Sequence, residues 1–232
     1  MWVYIGTSEL KNAYIGEFVG NYTPTANTMA YYPLNSTTTV NDKSWNSKNM
    51  TKSWTVTFWT NGWVDCAYFN GGYLYLNESL VLGANPRTIS CWYYRTNSAW
   101  QWGAFWGMGT ASSNNWITTY IGTNSWDYEK ISYGNRSWDT TSGVTVTNNS
   151  WHLLTVTYNW STINVYNDST LINTKSRVTL NLTNTRTALA QFPNFWAYQY
   201  KGYFSEFIFE NKKWETAEIS DYYNAHKSEY WL

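Results

Sequence analysis

The chain has 232 residues with 15 basic and 15 acidic side chains, so its formal net charge is zero. That balance gives no long-range attraction to nucleic acid or to an anionic membrane surface, and it points to neutral partners. Aromatics make up 20% of the residues and charged side chains only 13%, more rings than one core of this size needs, so some indoles and phenols are expected at the surface.

No apolar run approaches the ~18–20 residues that cross a bilayer. The opening Met1-Trp2-Val3-Tyr4-Ile5-Gly6 lacks a basic stretch ahead of a hydrophobic one, so neither a membrane span nor a secretory signal is expected. Cys66 and Cys91 are the only cysteines and fall in separate predicted strands, which favours buried free thiols over a bridge.

Along the chain, Val3-Tyr4-Ile5-Gly6 returns as Ala13-Tyr14-Ile15-Gly16. The echo predicts a two-stranded ribbon over residues 1–22, too small to stand without a partner surface. Residues 23–28, with Pro24 among small polar side chains, read as a linker, and residues 29–232 as the main domain.

The main domain contains aromatic-rich runs bounded by Asn, Gly, Ser, Thr or Asp: Ala30 to Leu34, Ala67 to Leu76, Thr88 to Tyr94, Trp151 to Tyr158, Ile163 to Tyr166 and Gly202 to Phe209. Each suits a pleated, half-buried strand. Asn70-Gly71-Gly72 is a strong turn signal inside the second run. Apolar residues alternate with Thr in Leu154-Thr155-Val156-Thr157-Tyr158, and Ile163 follows closely enough to predict an antiparallel hairpin. The one predicted helix starts at a Thr216 cap and places Ile219, Tyr222, Tyr223 and His226 on one face, to close an end of the fold.

In this order the runs resemble the laminin G-like branch of the concanavalin A-like lectin/glucanase superfamily. The residues that carry the likeness are Ala30-Tyr31-Tyr32-Pro33-Leu34, the Asp42-Lys43-Ser44-Trp45-Asn46 turn, Phe69-Asn70-Gly71-Gly72, Thr88 to Trp92, Trp151 to Tyr158, Gly202 to Glu206 and Trp214 to Asn224. The resemblance implies an all-β fold, a jelly-roll sandwich of two antiparallel sheets with one short C-terminal helix. It also implies a ligand surface on rim loops or on a concave sheet. Tyr4 to Gly16 is similar to leader segments of phage tail, fibre and other virion proteins, which implies attachment to other subunits of an assembly, and an oligomer. At Trp45 and Trp160 the family places Gly, so either these turns have changed type or those positions derive from a UGA codon read as glycine in the source organism.

Glycoside hydrolysis requires two carboxylates across the scissile bond. Glu206 and Glu210 are the nearest pair, on one face of a predicted strand, but their backbones stand roughly 13 Å apart, and Ile208 occupies the place where the family's hydrolases carry Asp. A non-catalytic role is therefore expected, with a glycoside-active enzyme using these two residues as the alternative. His152 and His226 have no Cys or His at ligand spacing, which argues against transition-metal chemistry. Asp42, Asp65, Asp127 and Asp139 lie in turn-like contexts, read first as solvated turn residues and alternatively as calcium ligands.

Stacking chemistry is better supplied. Trp100 and Trp102 read as packing residues, whereas Trp106, in the same extended segment, and Trp116, Trp126 and Trp138, in Asn- and Ser-rich loops, are the candidates for holding the face of a sugar. The expected protein is a structural or adhesion module at a virion surface or outside the cell, displaying a lectin-like domain to a neutral glycan or a cell-surface polysaccharide.

Overall fold

In Arg87–Arg95 and Lys201–Glu210, β-branched and aromatic residues fill most positions, the composition of strands covered on both faces. These two segments lie side by side at the centre of the larger of two sheets. The computed structural model describes residues 22–35, 40–53, 55–96, 103–110, 115–122, 129–135, 138–192 and 199–232; the predicted ribbon, apart from Tyr22, lies outside them.

The strands are β1 (Thr28–Tyr32), β2 (Thr51–Lys52), β3 (Val56–Asn61), β4 (Val64–Asn70), β5 (Leu74–Leu76), β6 (Arg87–Arg95), β7 (Gly103–Gly109) and β8 (Trp116–Ile121). They continue with β9 (Lys130–Asn135), β10 (Trp138–Thr145), β11 (Trp151–Asn159), β12 (Thr162–Asn167), β13 (Thr170–Lys175), β14 (Thr187–Leu189) and β15 (Lys201–Glu210). One sheet runs β13-β12-β11-β6-β15-β4-β3, with β1 also on β15, and the other runs β10-β9-β8-β7-β14-β5-β2. Every pairing of the larger sheet is antiparallel, and so is every pairing of the smaller.

The inner faces of the sheets meet in one core. Ile89, Cys91, Leu154, Val156, Phe204, Phe207 and Phe209 from the larger sheet pack with Leu74, Phe105, Met108, Ile117, Ile131 and Leu189 from the smaller. Burial at ~25 cal/mol per Å² makes this shared layer the main stabilising term.

Asn70-Gly71-Gly72 makes no hairpin, because β4 belongs to the larger sheet and β5 to the smaller. The turn instead hands the chain across the sandwich. Gly71 has φ +85°, and a Cβ on Gly72 would come within 2.7 Å of Val56 Cγ2, so both glycines are required. The hairpin predicted between Tyr158 and Ile163 is present, with Asn159 paired to Thr162 and Trp160 at its first turn position with φ +44°. In the Asp42 loop the left-handed position is Ser47, φ +55°, and not Trp45.

Helix α1 (Thr216–His226) and a 3-10 turn (Lys227–Tyr230) end the chain. The N-cap is Glu215, one residue before the predicted one, and its N–H donates to Glu218 Oε2 at 2.8 Å. The pair does not close an end of the sandwich. It lies across the outer face of the larger sheet, where Ile219 packs with Tyr31, Ile208 and Trp214 and the Tyr230 ring stacks on Trp92 at 3.9 Å. Cys66 joins this outer layer while Cys91 points into the core, so the two free thiols occupy opposite faces of one sheet and cannot bridge.

Candidate functional site

Alternation along β4, β15 and β6 sends Ala67, Phe69, Phe204 and Tyr93 inward and leaves Tyr68, Tyr203 and Tyr94 outward. Register then aligns them: Tyr68 opposite Tyr203, Tyr203 opposite Tyr94, and Tyr94 opposite Trp151 of β11. The ring centroids are 4.8, 5.6 and 5.6 Å apart. Cross-strand aromatic pairs of this kind contribute roughly 0.2–1 kcal/mol each. Trp151 is buried, but the three tyrosines are half-exposed, so the row is a platform open to solvent. Burial raises the Tyr203 phenol above its ordinary value, which keeps it neutral.

The row continues at the sheet edge. Thr57 of β3 lies opposite Tyr68, and Trp59, paired with Cys66, stands 67% exposed on the same outer face. The β3–β4 turn adds Trp63, 80% exposed, and the Trp231 ring lies over Gly62 of that turn. Thr57, exposed on the same face, borders this band, whereas Thr60 and Asp65 alternate onto the other face, where Thr60 Oγ1 donates to Asp65 Oδ1 at 2.9 Å. Flat apolar faces beside hydroxyl groups can hold the C–H face of a sugar and its hydroxyls.

The residues selected from sequence are placed differently. Trp106 is fully buried in the core, and Trp116 is packed beneath Phe192 at 5.8 Å, so neither offers a free face to a ligand. Both strands that carry them have neighbours on each side, which neither the aromatic segment around Trp106 nor the Ser- and Asn-rich stretch before Trp116 reveals. Trp126 and Asp127, like Trp100 and Trp102, lie outside the described residues, and only the backbone of Trp138 and Asp139, in β10, is described.

Glu206 and Glu210 do share the outer face, but each is fully buried and bonded. Glu206 sits at a bulge with φ +50° and accepts from Tyr31 Oη at 2.9 Å and Tyr222 Oη at 2.5 Å, beneath α1. Glu210 accepts from Tyr22 Oη and from Thr28 Oγ1 at 2.5 Å, which fastens the incoming chain segment to β15. Neither carboxylate can reach a glycosidic bond, so the two do not form the pair of a hydrolase.

Asp42 is saturated as well. Oδ1 accepts the N–H groups of Tyr31 and Ser44 at 2.9 and 2.8 Å, and Oδ2 accepts the Ser44 hydroxyl at 2.7 Å and the Lys48 N–H at 2.9 Å. Four donors on one carboxylate organise a loop; they leave no lone pairs for calcium. Asp65 is occupied by Thr60 across the β3–β4 hairpin. Among the described residues no group of three or more His, Cys, Asp or Glu side chains could hold a metal ion.

A separate cleft of about 310 Å³ opens between the Lys48–Glu78 ion pair, Met29, Ser79, Asn85, Asn184 and Asn211. Its lining contains no aromatic side chain, so it lacks the stacking surface that the outer band supplies.

Residues 69–220, more than half of the chain, match the family described as the concanavalin A-like lectin/glucanases superfamily. The chain belongs to that superfamily. The jelly-roll sandwich agrees with it. Among solved structures, domain 4 of AbnA, a GH43 extracellular arabinanase from Geobacillus stearothermophilus, in complex with arabinotriose, is similar with a TM-score of 0.69 and 16% identity, over 84% of this chain and 97% of that one. The binding domain of Paraclostridial Mosquitocidal Protein 1 is similar with a TM-score of 0.67 and 15% identity, over 86% of this chain and 52% of that one. The binding domain of botulinum neurotoxin DC in complex with SialylT is similar with a TM-score of 0.61 and 12% identity, over 86% and 52%. This superfamily member therefore spans about half the length of those toxin binding domains, and at these identities the likeness is one of fold. No curated protein sequence matches the chain. No helix among the described residues is long and apolar enough to cross a membrane.

Proposed function

We propose that the protein is a carbohydrate-binding module whose ligand, a neutral glycan or cell-surface polysaccharide, lies along the outer aromatic band. The observation that carries this reading is the half-exposed row Tyr68–Tyr203–Tyr94 continuing into exposed Trp59. Sugar rings stack on these faces, and the Thr57 hydroxyl and the tyrosine hydroxyls take the sugar hydroxyls. Two structural neighbours carry carbohydrate in their descriptions, arabinotriose in one and SialylT in the other, which supports the ligand class.

On this reading the module does not cleave glycosidic bonds. It serves as the adhesive part of a virion or cell-surface assembly outside the cell, and residues 1–22 are the attachment to other subunits, forming an oligomer. Support comes from the Tyr22 and Thr28 hydroxyls, which lock the start of the domain onto Glu210.

A glycan array and affinity electrophoresis in neutral polysaccharides test the reading, with Tyr203→Ala and Trp59→Ala beside the wild type. Binding that both variants lose while keeping wild-type melting supports it. A wild-type chain that binds no glycan, or variants that bind unchanged, would sink it.

A further inference from the structure

Ser150 and His152 lie two residues apart around the start of β11, so their side chains emerge on the same side. Ser150 Oγ stands 2.8 Å from His152 Nε2, and His152 Nδ1 stands 2.6 Å from Asp168 Oδ2. A carboxylate at that distance fixes the proton on Nδ1, which leaves the Nε2 lone pair facing the serine hydroxyl. We propose that Ser150, His152 and Asp168 form a nucleophile relay that gives the chain esterase reactivity towards esters of short carboxylic acids.

The relay is built from both sides. Asp168 is held by Leu153, whose N–H donates to Asp168 Oδ1 and whose carbonyl accepts the Asp168 N–H, each at 2.9 Å. Asn167 Nδ2 donates to Asp168 Oδ2 at 3.1 Å, while Tyr93 Oη donates to Asn167 Oδ1 at 2.8 Å. The serine side is pinned both to the neighbouring strand β6 and to Glu129, the residue before β9 of the other sheet. Asn148 Nδ2 donates to Glu129 Oε1 at 3.0 Å, the Asn149 N–H donates to the Arg95 carbonyl at 2.8 Å, and Arg95 is ion-paired with Glu129.

Backbone strain gathers at the same place. Asn149 has φ +59°, and Asp168 and Ser169, the two central residues of the β12–β13 turn, have φ +50° and +64°. Left-handed non-glycine residues cost of order 1–3 kcal/mol each and persist where the surroundings hold them. The constellation is reachable, since Ser150 is half-exposed and the His152 and Asp168 side chains are 13% and 24% exposed. Nucleophile to base to orienting carboxylate, each within hydrogen-bond reach, is the arrangement that activates a serine hydroxyl.

In the reaction, the Ser150 hydroxyl proton passes to His152 Nε2 as Oγ bonds to the ester carbonyl carbon, and the carbonyl π pair moves onto its oxygen. The tetrahedral intermediate collapses, the carbon–alkoxy bond breaks, and the departing alkoxide takes the proton from Nε2. Water then gives a proton to Nε2 as its oxygen attacks the acyl carbon, and Ser150 Oγ leaves carrying that proton back. Ester and water become acid and alcohol. Ser150 and His152 touch the reacting atoms; Asp168 is a positioning residue.

The test uses the full chain with a fluorophosphonate probe, intact mass and peptide mapping, and with p-nitrophenyl acetate as a turnover substrate. The expected result is a single phosphonylation at Ser150 in the native protein and none after unfolding. Ser150→Ala should abolish both labelling and turnover. Asp168→Asn should slow both at least 100-fold at unchanged wild-type circular dichroism, because the amide presents a donor to Nδ1 and turns the ring to the wrong tautomer. No label at Ser150 in the native wild type, equal labelling of native and unfolded chains, or undiminished turnover by Ser150→Ala would each overturn the proposal. Because the wild-type result decides, a variant that fails to fold leaves the test intact, and glycan binding along the aromatic band stands or falls separately.

Discussion

The Trp231 ring lies directly on Gly62: a Cβ placed on that glycine would sit 1.8 Å from the indole Cη2. Gly62 also has φ +68°, so one residue satisfies the β3–β4 turn and makes room for an exposed indole. Gly62→Ala should cost about 1–3 kcal/mol through the left-handed backbone and also lift Trp231 away from the band. Calorimetry and a glycan titration check the two effects together; an alanine variant with wild-type melting and affinity contradicts the relationship.

The aromatic row predicts graded binding losses. Tyr203 is flanked by rings on both sides, so Tyr203→Ala should weaken glycan binding about tenfold or more, equivalent to ~1.4 kcal/mol. Trp63→Ala, at the far end, should cost less. Titration calorimetry with one polysaccharide reads both, and equal losses would argue against a sugar lying along the row.

Stability should fall as pH rises. Burial raises Glu206 above its ordinary 4.5, with the Tyr222 and Tyr31 hydrogen bonds and His226 only partly offsetting it. His226 is lowered by burial but raised more by Glu229 and Glu206, for a net position above 6.5. For Glu206, the folded chain keeps a proton that the unfolded chain has already released, so stability declines as pH climbs from 4.5 to the raised folded value. For His226, the contribution is complete below 6.5 and disappears as pH climbs through its raised value. Melting temperatures between about pH 5 and pH 8 should therefore slope downward. Glu206→Gln should flatten the acid part of the slope, and His226→Gln the neutral part. Slopes unchanged in both variants would contradict the assignment.

Asp42→Ala should destabilise by about 2–4 kcal/mol, since four donors lose their charged acceptor. Calcium or a chelator should leave the wild-type melting temperature unchanged. A calcium-dependent rise in melting temperature would show that these lone pairs are free after all.

Trp160 holds φ +44° in the β11–β12 turn while its ring stands 64% exposed. Trp160→Gly should therefore stabilise the chain by about 1 kcal/mol, strain relief outweighing the entropy that glycine gains on unfolding. Chemical denaturation of the two chains measures it, and a less stable glycine variant would show the turn unstrained.

The strands were legible wherever aromatic and β-branched residues alternate between turn formers, as in Trp151 to Tyr158, because period-two patterning is a local property. The helix was legible to within one residue for the same reason. The burial of Trp106 and Trp116 was not legible, because neither an aromatic extended segment nor a Ser- and Asn-rich flank reveals whether a strand has neighbours on both sides. Trp59, Trp63 and Trp231 were passed over, although the Asn61-Gly62-Trp63 turn placed two of them beside a hairpin. Glu206 and Glu210 were correctly put on one face, but their burial depended on α1, Tyr22 and Thr28 arriving from distant parts of the chain.

By itself, the amino-acid order determined a succession of β-strands, one terminal helix and zero net charge, since alternation, turn residues and composition act over a few neighbours; the two-sheet sandwich followed from the likeness of those runs to the superfamily. Only the tertiary structure decided which aromatics stay at the surface, that the helix lies on a sheet face, and that Ser150, His152 and Asp168 meet. Those outcomes depend on register between strands far apart in sequence: Tyr68 finds Tyr203, and Asp168 finds His152, only once the sheet has formed.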